Sequence, residues 1–397
     1  METATAVEQI KTLVATGGEQ ARKLALEATR KLITELETPY DTFHRLHSLH
    51  LDLAIAKVGS DLGLYKTLSA SKEPLSLAAL AEQTKAPEAT LVRILRHLSA
   101  LHIISESGPG SYTSSNITHH LALPGIEGGL IHAFDNCGPI FQRLPSFLAE
   151  TSYAPPPSLT NTAFNAAYST PLPVFHWITQ FPERFASFQA AMTVQSINQP
   201  PWHAVFPFTT SLGSFASSHP DSPVFVDVGG GIGHQCAALI DAFPDLGLKG
   251  RVVLQDLPPT IAIAEAQGML ADTTGIKGEA HDFFTPQPAT SQGARFYYLR
   301  TVLHDWPDDK CGVILKQIAA AMGEDSEVLI DEVVLPEQGA HVYATTYDLV
   351  MMSALAGRER TRGQWEGLVR EAGLEVREVV GYEGLKGVSI IRCGKKV

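Results

Sequence analysis

The chain has 397 residues, 44% hydrophobic and 18% charged, which is typical of a globular enzyme with more than one domain. Its formal net charge of -12 disfavours a nucleic-acid partner, and its four cysteines, never in a C-x-x-C pair, argue against a disulfide framework or a metal site. Because no apolar run is long enough to span a membrane and no secretory signal is recognisable, we expect a cytoplasmic protein without a membrane partner.

The first third of the chain predicts a dimerisation domain. Apolar residues recur at helical spacing in Ile10–Leu36 without a nearby partner, and such a stripe is usually buried by a second subunit. From Ala54 to Thr118 the pattern predicts a winged helix, with a short helix at Ser76–Thr84, another at Pro87–Ser105 and a strand pair. Its positive and negative charges nearly balance, so no basic DNA-binding face is predicted. We expect a homodimer formed through residues 1–125.

Residues 126–210 predict a helical connector that is rich in aromatic side chains. Any single one of these side chains is more simply explained as core. As a group between two domains, some of them are expected to line a pocket for a flat apolar substrate. The candidates are Phe134, Phe141, Phe164, Phe175, Trp177, Phe185, Met192 and Trp202.

Residues 211–397 contain the motif that indicates a nucleotide ligand. A buried strand is followed at once by a glycine cluster in Phe225–His234, F-V-D-V-G-G-G-I-G-H, and such a turn lets backbone approach a ligand. The next strand, Arg251–Gln255, is followed by Asp256, the place where doubly wound folds bind ribose hydroxyls. The third glycine of the NAD fingerprint is replaced by His234, and no P-loop lysine follows, so S-adenosylmethionine is the best remaining ligand.

Acid–base residues follow the fourth predicted strand of this domain, Arg295–Leu299. His304 lies in R-T-V-L-H-D-W, at the edge where open α/β sheets place their ligands. An imidazole with its ordinary pKa of about 6.5 could accept a proton from a hydroxyl nucleophile at neutral pH. A carboxylate would have to orient the ring, and Glu332 and Glu359 are the candidates.

In these motifs the chain resembles the caffeic-acid-type O-methyltransferases, especially those of fungal secondary metabolism. The resemblance runs from about Leu36 to the C-terminus and implies a Rossmann-like domain with a mixed, mostly parallel seven-stranded sheet and a winged-helix dimerisation domain. It also implies S-adenosylmethionine as cofactor, an aromatic or pyridone-type substrate and no metal. The matching motifs, in order, are V-D-V-G-G-G-I-G, L-Q-D-L-P, H-D-F-F, L-R-T-V-L-H-D-W-P-D-D, I-D-E-V-V-L-P and G-R-E-R-T.

The resemblance also implies roles for individual residues. Gly229 and Gly231 would approach the methionine part of the cofactor, and Asp256 would bind its ribose. His304 would be the general base, bracketed by Glu332 and Glu359. The other implied site residues are Asp305 beside the base, Asp282 and Phe283 at the adenine, Asp227 and Leu257 in the cofactor site, and Arg300, where the family often has lysine.

The same scaffold resembles the fungal SAM-dependent pericyclases, which catalyse dehydration and cycloaddition without moving the methyl group. His132 matches a histidine that these enzymes use as an acid or base. A pericyclase of this branch carries arginine at the position of His304 and aspartate at that of Glu332, so the residues here favour methyl transfer. Two further alternatives are a non-catalytic dimeric scaffold, which would not bind S-adenosylmethionine, and a winged-helix regulator, which would shift nucleic acid at low salt.

Overall fold

The computed structural model of the protein describes residues 2–194, 199–384 and 386–396. The chain divides into two compact units, Met1–Leu130 and Ile131–Val397. The finer division predicted above, with boundaries after residues 125 and 210, stays a prediction. Within the described ranges, every helix is too short or too polar to cross a bilayer.

The first unit combines helices with a small antiparallel sheet of strand order β1-β3-β2. Leucines of its fifth helix, Leu91, Leu95 and Leu98, are fully buried against Ile104 and Tyr112. The elements are α1 (Glu2–Leu36), α2 (Pro39–Asp61), α3 (Leu64–Ala70), β1 (Leu75–Ser76), α4 (Leu77–Thr84), α5 (Glu88–Ala100), β2 (Ile104–Gly108), β3 (Ser111–Ser114), α6 (Asn116–Leu121) and α7 (Pro124–Ile131).

One predicted helix of this unit is too long. We expected a helix at Pro87–Ser105, but α5 ends at Ala100. His102 has a φ of 56°, in the left-handed region that a right-handed helix cannot accommodate. The β-branched Ile104 then begins β2.

Helices α1 and α2 expose many large apolar side chains. Those that are at least half exposed are Val7, Leu13, Leu24, Leu32, Ile33, Leu36, Tyr40, Phe43, Leu46, Leu49 and Leu51. The exposed apolar stripe predicted for Ile10–Leu36 is therefore present in α1, and exposed apolar side chains continue into α2.

The second unit is built on a twisted sheet flanked by helices. A π-helical turn, His132–Cys137, comes first. The strands are β4 (Phe225–Val228), β5 (Val252–Asp256), β6 (Ile276–Ala280), β7 (Phe296–Arg300), β8 (Glu327–Leu335), β9 (Arg360–Thr361), β10 (Leu374–Glu383) and β11 (Val388–Lys395). The helices are α8 (Gly138–Glu150), α9 (Ala163–Tyr168), α10 (Val174–Ile178), α11 (Pro182–Val194), α12 (Phe208–Leu212), α13 (Phe215–Ser218), α14 (His234–Ala242), α15 (Pro258–Ala266), α16 (Asp308–Ala321), α17 (Val342–Leu355) and α18 (Arg362–Glu371).

Seven strands of this sheet follow the order β10-β11-β8-β7-β4-β5-β6, and the short β9 pairs with β8. Strands β6, β5, β4, β7 and β8 are parallel, whereas β11 runs antiparallel to β8 and β10. This is the predicted Rossmann-like class. Because parallel strands end at one edge, the glycine turn after β4, Asp256 at the end of β5 and the His304 turn after β7 lie along the same edge.

The aromatic residues of the connector have different positions in the second unit. Trp202 is fully buried and stacks on Tyr298 and Phe225, with ring centroids 4.8 and 5.8 Å apart, so it belongs to the core of the sheet. Phe164 is also core, in a cluster with α8, α9 and α17. Phe175 is partly buried against the same cluster, and both Phe175 and Phe185 contact the ring of Phe188.

Candidate active site

The glycine turn after β4 packs directly against the segment that carries His304. Gly229 has a φ of 74°, and a Cβ there would lie 3.0 Å from Cγ2 of Val302 and 3.5 Å from Cε1 of Phe283. Gly231 has a φ of 59° and open space on its Cβ side. Both positions therefore need glycine, one for contact and conformation and the other for conformation alone.

The side chain of Asp227 packs against this turn. The side chain is buried at the end of β4, and burial raises the pKa of its carboxyl group to about 7. Cys236 donates to Oδ2 from 3.4 Å, and a Cβ at Gly230 would overlap the carboxylate. The contacts of Asp227 are thus with the turn itself.

Asp256 joins the first two crossover turns of the sheet. Its Oδ2 accepts the N–H of Gly231 at 2.9 Å, and its Oδ1 accepts the N–H of Leu257 at 2.8 Å. Burial raises the pKa of this carboxyl group, although these hydrogen bonds oppose the shift. The side chain of Leu257 is largely exposed at the same edge.

Phe283 forms an aromatic wall beside the glycine turn. Its ring meets those of Phe284 and Trp306 edge-on, with centroids 5.0 and 5.8 Å away. The preceding Asp282 is exposed and accepts the N–H of Phe284 at 3.0 Å. An apolar flat surface with an adjacent acceptor therefore flanks the turn.

Arg300, at the end of β7, is held within the sheet edge. Its Nη1 lies 3.5 Å from Oδ2 of the buried Asp331, whose two oxygens also accept the hydroxyls of Tyr298 and Tyr382 at 2.5 and 2.6 Å. Burial would lower the pKa of the guanidinium, but the neighbouring Tyr298 hydroxyl and the negative charge of Asp331 outweigh it and raise the pKa. The contacts of Arg300 with these groups are those of a buried ion pair.

His304 lies on a single 3-10 turn just after β7, where two glutamates fix it in different ways. Its Nδ1 is 2.8 Å from Oε1 of Glu359. Oε1 of Glu332 accepts the backbone N–H groups of Val302, Leu303 and His304, at 3.0, 2.9 and 3.3 Å. Glu359 therefore orients the ring, whereas Glu332 holds the turn.

The charge of His304 differs from the expectation for a free imidazole. Burial alone would lower its pKa, but Glu332, Asp305 and Glu359 together outweigh burial and raise the pKa to about 10. Asp305 lies 3.5 Å from Nε2, and burial raises its own pKa to about 6. Burial likewise raises the pKa of Glu332. The neighbouring carboxylates thus favour the imidazolium form of the ring more than the free imidazole pKa of about 6.5 assumes.

Arg360, which the sequence reasoning missed, holds the His304 turn from the opposite side. It is fully buried, and its guanidinium donates to the carbonyl oxygens of Leu303 at 3.1 Å and Trp306 at 2.9 Å. Asp308 accepts two further bonds at 2.9 and 2.7 Å, and the guanidinium lies 5.0 Å from the centre of the Trp365 ring. The two carbonyls flank His304 in the chain, so Arg360 fixes both ends of its turn.

Two neighbours of Glu359 contact the backbone of His304. The N–H of Arg358 donates to the carbonyl oxygen of His304 at 3.0 Å, and a Cβ at Gly357 would overlap that oxygen. The segment from Gly357 to Arg360 thus orients both the ring and the backbone of His304. The arginines and glycine around Glu359 in G-R-E-R-T were the sequence signal for this arrangement.

The same cluster has the composition of a possible metal site. His304, Glu332 and Glu359 offer ligand atoms that all lie within 4.8 Å of one another. Nδ1 of His304 is already hydrogen-bonded to Glu359, and Oε1 of Glu332 accepts three backbone N–H groups. Protein contacts therefore account for Nδ1 of His304 and Oε1 of each glutamate, whereas Oε2 of Glu332 and of Glu359 is buried without a hydrogen-bond partner among the described residues. The absence of a metal stays a prediction.

His132 lies in a separate cluster on the π-helical turn. Its Nδ1 accepts from Nδ2 of Asn136 at 2.8 Å, its Nε2 is 3.5 Å from Sγ of Cys137, and its ring meets that of Phe188 edge-on at 5.6 Å. Burial lowers its pKa to about 4 and raises the pKa of the Cys137 thiol to about 12. Burial thus favours the neutral form of His132, and its hydrogen bonds are separate from those of His304.

Two family models match the chain. Residues 160–375 match the O-methyltransferase domain, and residues 47–122 match the O-methyltransferase dimerisation domain. The first match covers the sheet strands from β4 to β9 and both glutamates that surround His304. The second covers most of the helices and the small sheet of the first unit.

Curated relatives and solved structures agree with these matches. The chain is 39% identical over 383 residues to O-methyltransferase lepI of Aspergillus flavus, covering 96% of each. It is 40% identical over 367 residues to demethylsterigmatocystin 6-O-methyltransferase of the same fungus, covering 92% of each. A structure of LepI in complex with SAM matches with a TM-score of 0.92 at 38% identity, covering 100% of this chain and 99% of that one. A structure described as a pericyclic reaction enzyme matches with a TM-score of 0.93 at 38% identity, covering 100% of both chains.

Proposed function

The chain belongs to the O-methyltransferase family, and from this premise we propose that it methylates a hydroxyl group of an aromatic or pyridone-type secondary metabolite. His304 is the proposed general base, oriented by Glu359 and held in place by Glu332. The cofactor is S-adenosylmethionine, which when bound supplies an electrophilic methyl group.

The edge of the sheet suits this cofactor. The glycines after β4 leave backbone accessible, and Asp256 presents a carboxylate where a ribose would bind. We assign the methionine part to Gly229 and Gly231, the adenine to Asp282 and Phe283, and the role of supporting the turn to Asp227. Leu257 would cover the ribose from its exposed position, and Arg300 would supply fixed positive charge at the edge.

One observation carries the proposal: a Cβ on Gly229 of the glycine turn would lie only 3.0 Å from Cγ2 of Val302, which is two residues before His304. The cofactor turn and the acid–base group are therefore parts of one packed unit, as an in-line transfer between a bound donor and an activated hydroxyl requires. Asp305 contributes a second carboxylate on the Nε2 side of the ring.

For His304 to accept a proton, its ring must first be neutral. Because the surrounding carboxylates raise its pKa to about 10, the neutral fraction grows as pH rises from neutral towards that value. The kcat/KM of methyl transfer should rise over the same interval, because this ratio reports the ionisation of the free enzyme. An acid role for the ring predicts the opposite, a constant rate at neutral pH that falls as the solution becomes alkaline.

The direct test is to incubate the purified protein with S-adenosylmethionine and candidate phenols or pyridones, and to quantify S-adenosylhomocysteine and products. Formation of S-adenosylhomocysteine in a one-to-one ratio with a methylated product supports the proposal. Turnover of substrate with the cofactor intact would overturn it.

A pericyclic or dehydration reaction is the second candidate. It is favoured by the similarity to the pericyclic reaction enzyme and by the neutral His132 on its π-helical turn, since π-bulges often occur at functional sites. His304 and Glu332 favour methyl transfer instead. The product analysis separates the two, because this reaction would isomerise or dehydrate its substrate without forming S-adenosylhomocysteine.

We also propose that the protein is a homodimer. The match to the dimerisation domain and the exposed apolar rows on α1 and α2 support this assembly. Light scattering on the purified chain should give twice the monomer mass of 42.8 kDa, and a monomer at micromolar concentration would contradict it.

A further inference from the structure

Asn136 connects His132 to an arginine in the second unit. The amide is buried, with Oδ1 3.0 Å from Nη1 of Arg184. Its Nδ2 lies 2.8 Å from Nδ1 of His132 and 3.2 Å from both the carbonyl oxygen of Arg184 and Oγ of Ser187. Among the groups that contact this amide, the guanidinium and the carbonyl oxygen of Arg184 have fixed hydrogen-bonding roles.

The orientation of this amide is determined by chemistry. A guanidinium can only donate hydrogen bonds and a backbone carbonyl can only accept them. Rotating the amide of Asn136 by half a turn would place its NH₂ group against the guanidinium of Arg184 and its oxygen against the carbonyl of the same residue. Both contacts would then be repulsive, so the NH₂ group must face His132.

The fixed amide determines the protonation of His132. Nδ1 faces a donor, so it must accept and carries no hydrogen. A neutral imidazole with a bare Nδ1 has its hydrogen on Nε2, and an imidazolium would place two donors face to face. The lowered pKa of the buried ring agrees with this neutral form.

We propose that Arg184 and Asn136 are positioning residues that hold His132 as the neutral tautomer with hydrogen on Nε2, so that this nitrogen acts as a hydrogen-bond donor. Its nearest polar neighbour on that side is the sulfur of Cys137, a weak acceptor at 3.5 Å. Because Nε2 already carries hydrogen, it cannot take the thiol proton. Cys137 and His132 are therefore no nucleophile–base pair.

Arg184 is itself held firmly enough for this role. Besides Asn136, its Nη1 contacts the carbonyl oxygen of Asp135 and the hydroxyl of Tyr168, at 2.5 and 3.2 Å. The guanidinium also lies over the rings of Tyr168 and Trp177, 5.4 and 5.6 Å from their centres. Aromatic faces and fixed acceptors thus keep the charge pointed at the amide.

The test is ¹⁵N NMR of the histidine-labelled full chain, with the His132 signals assigned by their loss in His132→Gln. The wild type should show an unprotonated Nδ1 and a protonated Nε2 at neutral pH. Asn136→Asp should protonate Nδ1, because a carboxylate only accepts hydrogen bonds. Ser187→Ala is the matched control and should keep the wild-type tautomer, since Arg184 still fixes the amide.

A wild-type Nδ1 that carries hydrogen would overturn the proposal without any variant, and so would an unchanged tautomer in Asn136→Asp. The spectra do not depend on turnover, so failure of methyl transfer would be recognised separately.

Discussion

Two histidines of the second unit show how surroundings set acid–base character. His304 contacts Glu359 and lies near Glu332 and Asp305, which raise its pKa to about 10. His132 contacts an amide, a thiol and an aromatic ring, and burial lowers its pKa to about 4. The surroundings of the first ring favour its cationic form, and those of the second favour its neutral form.

The contrast between the two rings predicts that methyl transfer depends more strongly on His304 than on His132. His304→Ala should lower the turnover of methyl transfer by at least ~100-fold, the scale of a lost general base, while S-adenosylmethionine affinity is kept. The measurement is kcat together with the cofactor Kd from calorimetry, which also reports on folding. His176→Ala, an exposed histidine of the same unit, is the control. Unchanged turnover in His304→Ala would remove this residue from its role.

The charge of His304 can be tested through its closest carboxylate. Glu359→Gln should lower kcat by ~10- to 100-fold, the usual effect of a lost orienting partner. Because one negative charge near the ring is removed, the pKa of His304 should fall and the rising part of the kcat/KM profile should move to lower pH. Glu366→Gln, at an exposed ion pair with Arg362, should leave the profile in place. A profile that moves to higher pH would contradict this electrostatic account.

A smaller effect is expected from a substitution that weakens the hydrogen bonds holding the turn that carries His304. Arg360→Lys keeps the charge but cannot span the carbonyls of Leu303 and Trp306 together with Asp308, so we expect a fall in kcat of ~10-fold with KM little changed. Steady-state kinetics beside the exposed Arg362→Lys control would measure it. Equal losses in both variants would show that Arg360 has no special positioning role.

No effect is expected from removing divalent metal ions. Nδ1 of His304 is already paired with Oε1 of Glu359, and Oε1 of Glu332 accepts backbone N–H groups of the His304 turn. Dialysis against EDTA should therefore leave methyl transfer unchanged. Loss of activity that a divalent cation restores would identify the cluster as a metal site and contradict its description as a charged acid–base group.

Much of the fold followed from local patterns. Apolar runs marked the strands at Phe225 and Val252, and the order of motifs placed the glycine turn, Asp256 and His304 at one edge of the sheet. The end of α5 did not follow, because the left-handed backbone of His102 has no clear signal in a non-glycine residue.

The pKa values of the site residues could not be predicted from the sequence, for a different reason. Its pattern indicated that Glu332 and Glu359 would be near His304, but a pKa depends on burial and on distances of a few ångströms. The role of Arg360 likewise depends on which carbonyls its guanidinium reaches. The orientation of the Asn136 amide requires the positions of both polar groups of Arg184.

The most direct test of this account is a pH titration of the ¹⁵N-labelled histidines in the same sample. His304 should remain an imidazolium through neutral pH and lose its proton near about 10, whereas His132 should stay neutral until the pH falls to about 4. Titration of both rings near the ordinary value of about 6.5 would contradict it, because the two surroundings would then have no effect on the two histidines.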